Sequence, residues 1–166
     1  MKLFLLRHAT ARETFPDHER QLSDFGCEQV ESLAKFIDRT HFCDVAQLWH
    51  SPYLRAVQTA EIFKEKIGLD VPMMEISNIT PEDNPYEVAR MIASLSCFGK
   101  DLMVVSHNPL LQNLADILLD GARRGGRVVF DTCALACLTL EDIPATENDY
   151  GVWSLDFLIS PKIIRQ

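Results

Sequence analysis

A chain of 166 residues, 47% hydrophobic and 24% charged, is the size of one ordinary domain and can bury a real core, which excludes a disordered or fibrous protein. Its net charge of −8 argues against a nucleic-acid or anionic-membrane binder, since both demand a basic surface, yet leaves room for a small basic pocket. No run approaches the ~20 apolar residues of a membrane span, and the five cysteines are scattered without a C-x-x-C pair, so reduced thiols in a cytoplasm are expected rather than a disulfide framework.

The chain opens with a continuous apolar run, Leu3 to Leu6, that reads as a buried strand. It is too short for a signal-peptide core and is interrupted by Arg7 and His8. Thr10 to Gln21 is too mixed for a regular element. Ser23 then caps a helix whose Val30, Leu33, Ala34 and Ile37 fall on one face at the 3.6-residue period. "DVAQLWH", Asp44 to His50, predicts a second strand, and Leu54 to Ile67 a helix ended by Gly68. "VPMMEI" predicts a short strand, and Pro85 to Ser96 a helix. "DLMVVSH", Asp101 to His107, is a third apolar strand, followed by a helix marked by Leu110, Leu111, Leu114, Ile117 and Leu118. "TCALACLTL" and "GVWSLDFLI" predict two late strands joined by a polar turn from Pro144 to Gly151. With no repeat, low-complexity run or linker, this alternation predicts a single α/β domain over residues 1–166. The expected architecture is a three-layer sandwich with a mostly parallel central sheet, helices on both faces and room for an antiparallel edge strand.

In open α/β sheets ligands bind beyond the carboxyl ends of the strands. Three predicted strands end there in polar residues: Arg7-His8, His50-Ser51 and Ser106-His107. Arg55, early in the next helix, points to the same place. Two arginines and two histidines, with no carboxylate immediately beside them in sequence, form a cluster that repels itself unless it receives a multiply charged anion. A guanidinium fork matches phosphate oxygens, and a histidine can donate, accept or attack.

These stretches resemble the histidine phosphatase, or phosphoglycerate mutase-like, superfamily. "LLRHATA" is similar to its R-H-G signature, "SPYLRAVQTAEIF" to its S-P-x-x-R-A-x-Q-T segment, and "VVSHNP" to the strand carrying its second histidine. The short chain without a cap insertion, "DHERQLSDFG" (Asp17 to Gly26) and His-Asn-Pro resemble the SixA-type phosphohistidine phosphatases. One departure is Ala9, where the signature has glycine. The resemblance implies a catalytic set of His8, Arg7, Arg55 and His107. His8 is the nucleophile that forms a phosphohistidine intermediate, while Arg7, Arg55 and His107 bind the phosphoryl oxygens. Neighbouring guanidiniums favour a neutral His8, whereas His107 serves best as a donor beside a phosphate dianion. Arg20, within the D-x-x-R motif, either lines the phosphate pocket as a further substrate-binding residue or anchors its loop. No metal or cofactor is expected, because the arginines supply the positive charge and no Cys/His spacing suits a metal.

Other readings weigh less. A cysteine-based phosphatase needs arginine six positions after its thiolate. The positions six after the five cysteines are Leu33, Trp49, Met103, Thr139 and Ile143. "GARRGGRVVF" lacks the P-loop pattern, so its Arg123 to Arg127 stretch reads as a connecting loop that can face an acidic protein surface. His18, His41 and His50 match no catalytic position. Cleaving an alkyl phosphate requires a general acid, and the position after the second histidine is Asn108. The acidic pair available in a loop is Glu82-Asp83, whereas the imidazole of a phosphohistidine leaves without such help. The expected substrate is therefore a histidine-phosphorylated protein, such as a phosphotransfer domain or carrier. The alternatives are a small-molecule phosphomonoesterase with Glu82 or Asp83 as acid, and a non-catalytic phosphate-binding module in which Ala9 has spoiled the attack geometry.

Overall fold

The computed structural model describes residues 1–121, 127–146 and 149–164. Its main elements run β1 (Lys2–Arg7), α1 (Asp24–Phe36), β2 (Val45–His50), α2 (Leu54–Ile67), β3 (Met73–Glu75), α3 (Pro85–Leu95), β4 (Asp101–Ser106), α4 (Leu110–Asp120), β5 (Leu135–Asp142) and β6 (Val152–Ile159). One six-stranded sheet has the order β3-β2-β4-β1-β5-β6. β1, β2, β3 and β4 pair in parallel, and β5 runs antiparallel to both β1 and β6. The reversed strand is thus β5, one position in from the edge. The edge strand β6, hairpinned back from it, resumes the common direction.

The centre of β1, Leu3 to Leu6, is wholly apolar because both faces of the sheet are covered. Leu3 and Leu5 pack with α3 and α4 through Val88, Ile92, Leu111 and Leu114. Phe4 and Leu6 point the other way, to Val30 and Leu33 of α1 and Ala60 and Phe63 of α2. Helices therefore lie on both faces, as the alternation of the sequence predicts.

Two local devices set the segment between β1 and α1. The Ser23 hydroxyl accepts from the Gly26 N–H at 3.0 Å, capping α1. The Ser23 N–H and hydroxyl both donate to the Thr10 carbonyl, at 2.9 and 3.1 Å. Gly26 is needed for this approach, since a Cβ there would lie 2.0 Å from the same carbonyl oxygen. The stretch read as irregular, Thr10 to Gln21, holds one short 3-10 turn, Asp17–Glu19.

The registers Arg7↔Ser106 and His50↔Val105 bring the carboxyl ends of β1, β4 and β2 level. β5 begins at Leu135, later than the sequence suggests, because Cys133 turns the chain with φ of 59°. That turn places the Cys133 N–H 3.1 Å from the carbonyl of His8.

Candidate active site

His8 follows the last residue of β1, and its backbone is held from two sides. Its N–H donates to Ser106 at 2.9 Å, and its carbonyl receives the Cys133 N–H. The ring Nδ1 lies 2.7 Å from the Ala9 carbonyl. A carbonyl only accepts, so Nδ1 carries the hydrogen and Nε2 keeps its lone pair. Arg55 Nε donates toward that lone pair at 3.3 Å. Burial, reinforced by Arg55 and Arg7 and opposed by the Ala9 contact, lowers the His8 pKa to about 4. Near neutral pH the imidazole is uncharged, as a nucleophile must be.

His107, one residue beyond β4, is 1% exposed, with its ring centroid 4.9 Å from that of His8. Its Nε2 is 2.8 Å from the Ser51 hydroxyl, which also accepts from the Tyr53 N–H at 3.3 Å. Ser51 can spend its own hydrogen on Nε2, which puts the imidazole hydrogen on Nδ1. That atom is buried and has no partner among the described residues. Burial, then His8, Arg55 and Arg7, lowers the His107 pKa to about 2. Within its protein surroundings His107 is therefore a neutral donor, and only an anion against it would favour its protonated form.

The two arginines complete the cluster. Arg7 Nη1 donates to the Phe130 carbonyl at 2.8 Å, leaving its buried Nε without a partner. An unmatched buried donor costs about 1–3 kcal/mol. Arg7 Nε and His107 Nδ1 are thus two donors for which an oxyanion is the natural complement. Arg55, 4% exposed in the first turn of α2, donates Nη1 to the Asp17 carbonyl at 2.7 Å and Nη2 to the Asp17 carboxylate at 3.0 Å.

Asp17 corrects the expectation of a cluster without a neighbouring carboxylate. It is remote from the arginines along the strands and helices, and only the fold brings it to Arg55. Arg20 and Arg55 bind its two oxygens and hold its pKa below the usual carboxylate range against a burial effect in the opposite sense. The available sequence signal was the Asp17/Arg20 spacing itself, which closes an ion pair within one turn. Arg20 also donates Nε to the Arg12 carbonyl at 2.8 Å. Both contacts tie Arg20 to its own loop.

The methyl of Ala9 belongs to the core. Ala9 is fully buried in the cluster formed by Phe4, Leu6 and Val30, and its N–H donates to the Thr59 hydroxyl at 3.1 Å. Thr59 in turn donates to the Arg55 carbonyl at 2.6 Å, linking the His8 loop to α2. Asn108 donates to the same Phe130 carbonyl as Arg7, at 3.0 Å.

Glu82 and Asp83 differ in their partners. Asp83 accepts from the N–H and hydroxyl of Thr80 at 2.7 and 2.6 Å, which commits it to the turn before α3. Glu82 is exposed and lies 3.5 Å from the Tyr53 hydroxyl. His41 is exposed, and His50 is buried at the end of β2 with Nδ1 3.1 Å from the Ser51 carbonyl. Of the Arg123 to Arg127 stretch, Arg127 pairs with Asp120 at 3.2 Å, while residues 123–126 lie outside the described residues.

Comparison with known proteins gives a consistent picture. Residues 3–77 match the model of the histidine phosphatase superfamily, branch 1. A search of the curated proteins finds no match. The protein histidine phosphatase SixA, solved with tungstate, is similar in structure with a TM-score of 0.85 and 26% identity, over 99% of this chain and 100% of that one. A protein from Agrobacterium tumefaciens named as a phosphohistidine phosphatase SixA shares the fold at TM-score 0.75 and 21% identity, over 96% and 97% of the two chains. A mycobacterial glucosyl-3-phosphoglycerate phosphatase shares it at TM-score 0.64 and 16% identity, over 93% and 96%.

Proposed function

From the match of residues 3–77 to the histidine phosphatase superfamily and the structural likeness to SixA, we propose that the chain is a member of that superfamily and removes phosphoryl groups from phosphohistidine on a protein, using His8 as nucleophile. The observation that carries this reading is the state of His8. Its Nδ1–H is held by the Ala9 carbonyl, so Nε2 offers a lone pair beside Arg55 and His107.

In the proposed reaction, Nε2 attacks phosphorus while the bond from phosphorus to the leaving group breaks. Arg7, Arg55 and His107 hold the equatorial oxygens, whose charge they stabilise as it redistributes. Water then attacks the phosphorus of phospho-His8, Nε2 recovers its electron pair, and inorganic phosphate departs. Arg55 must transfer its Nε–H from His8 to a phosphoryl oxygen as the anion enters, which frees the nucleophile. The reaction draws its positive charge from the arginines and asks for no metal. A cytoplasmic phosphotransfer domain or phosphocarrier fits the role of substrate. Among the described residues no helix is long and apolar enough to cross a membrane.

The relative solved with an oxyanion, tungstate, supports an oxyanion pocket in this fold. A second reading concerns the leaving group, since a protein of the same fold is named as a glucosyl-3-phosphoglycerate phosphatase. Glu82 at the rim is the residue that would serve such an ester as acid, with Asp83 already bound to Thr80.

Phosphate release from a phosphohistidine-bearing carrier, compared with an alkyl monoester, tests the proposal. Release from the carrier is expected, together with an acid-labile, base-stable phosphoenzyme on rapid quench. His8→Ala is expected to lower turnover by about 10³-fold or more and to abolish the trapped species. Strong turnover of the alkyl ester alone would favour the small-molecule reading, and phosphate binding without turnover would make the protein a binding module.

A further inference from the structure

The mechanism uses the floor of the pocket and leaves its rim unassigned. Tyr53 forms one wall there. Its ring meets His107 edge-on at 5.1 Å and lies under the Arg55 guanidinium at 4.9 Å. From this wall its hydroxyl reaches outward to the Glu82 carboxylate at 3.5 Å, and the Thr80 hydroxyl lies 3.4 Å from the same oxygen. Burial, Glu82 and Asp17 raise the Tyr53 pKa, so the phenol keeps its hydrogen and donates to Glu82. Glu82 has no ion-pair partner among the described residues, unlike Asp17, whose carboxylate is shared between two arginines. The exposed His18 ring stands 6.4 Å from that of Tyr53, tilted by 60°.

The pocket therefore has a cationic floor, an aromatic wall and, next to that wall, an unneutralised carboxylate. A ligand complementary to this order carries its negative charge at the phosphoryl end and a flat, positively charged group outward. We propose that Glu82, held by Tyr53, accepts the ring N–H of the substrate's own imidazole and so favours its protonated, readily departing form. This rests on the phosphohistidine reading above and deepens it, giving Glu82 the role of an acceptor in place of a proton donor.

The balance needs no further reagent. The substrate ring enters with a proton on the nitrogen remote from phosphorus and is positively charged. His8 Nε2 forms its bond to phosphorus, the bond to the substrate nitrogen breaks, and that nitrogen keeps the electron pair. The ring leaves as neutral imidazole with its remote N–H still on Glu82, so no proton is transferred to the leaving atom. The Tyr53 ring offers the substrate imidazole a flat surface to pack on, and its hydroxyl holds the Glu82 carboxylate beside that surface.

The test compares kcat/KM for a phosphohistidine-bearing carrier protein, acetyl phosphate and an alkyl monoester across the unaltered protein, Glu82→Ala, Glu82→Gln and Tyr53→Phe. Acetyl phosphate has a good leaving group but no N–H to donate. The ratio of phosphohistidine to acetyl phosphate turnover is expected to fall about tenfold in Glu82→Ala, as for loss of one hydrogen bond to a charged group. Glu82→Gln and Tyr53→Phe should fall between that value and the unaltered ratio. An unchanged ratio, with the unaltered protein active on phosphohistidine, overturns this inference and leaves the proposed function standing. A selective loss on the alkyl ester also overturns it, by making Glu82 a proton donor. Failure of the unaltered protein to act on phosphohistidine defeats the functional reading and this inference together.

Discussion

Nε2 of His8 is made available by a single hydrogen bond on the other side of the ring, so the identity of residue 9 matters less than its carbonyl. Ala9 supplies that carbonyl from a backbone held in place by Thr59, and its methyl is spent on the core. The alanine methyl is therefore part of the core packing, and the hydrogen bond that frees Nε2 does not depend on a glycine at this position. Arg55 is the residue most exposed to loss by a conservative change. It serves His8 through Nε and Asp17 through both Nη atoms, a planar three-way arrangement that a lysine ammonium cannot reproduce. Arg55→Lys is expected to lower kcat/KM by about 10²-fold or more, in the range seen for losing one preorganised donor. Steady-state phosphate release checks this, with circular dichroism to confirm an intact fold.

At the level of elements, the site depends on strand ends that finish level and on a segment drawn in from the side. Parallel register does the first, placing Arg7 beside Ser106 and so His8 beside His107. The second is the work of α1, whose first turn grips the Thr10 carbonyl through Ser23 and permits the approach through Gly26. Gly26→Ala would drive a Cβ to 2.0 Å from that carbonyl. The expected cost is about 1–3 kcal/mol, as for overpacking of a tight contact, read as a lowered urea midpoint. Because Asp17 hangs from the same segment, the variant should also raise KM for phosphate-bearing substrates, which separates its effect from that of a core variant on the far face of the sheet.

For the whole molecule, the half-buried His8 and the buried His107, both held neutral, link stability to pH. His8 and His107 have folded pKa values lowered to about 4 and about 2, beneath the ordinary 6.5 of an unfolded chain. As pH falls below about 6.5 the unfolded chain takes up protons that the folded state refuses, so stability declines progressively toward pH 4. Asp17 and Asp131, whose pKa values are lowered by their cationic partners, add to the loss at the acid end of that range. Urea midpoints between pH 7.5 and 4.5 should fall with acidification, and His107→Asn should flatten the slope by removing one of the two groups. A slope equal to that of the unaltered protein would show that His107 takes its proton in the fold.

What the sequence determined by itself was whatever depends on near neighbours and on periodicity. Apolar runs such as Leu3 to Leu6 and Leu102 to Val105, bounded by polar residues, read as strands covered on both faces. Ser23 begins one helix and Gly68 ends another through contacts a few residues long, and Arg7, His8, Arg55 and His107 stand at strand ends or first turns, where an α/β sheet collects its ligands. The tertiary structure decided what depends on residues far apart in the chain. Asp17 reaches Arg55 across a loop with no periodic signal, Glu82 reaches Tyr53 from the turn before α3, and the Ala9 methyl finds a core pocket. It also decided which strand is reversed, because β5 and β6 can hairpin onto the sheet edge in either order, and the observed pairing sets β5 antiparallel against β1. Local spacing carries the direction of a helix or strand. Whether Asp17 also meets the guanidinium of Arg55, 38 residues away, is set by how those elements pack, and no local spacing announces it.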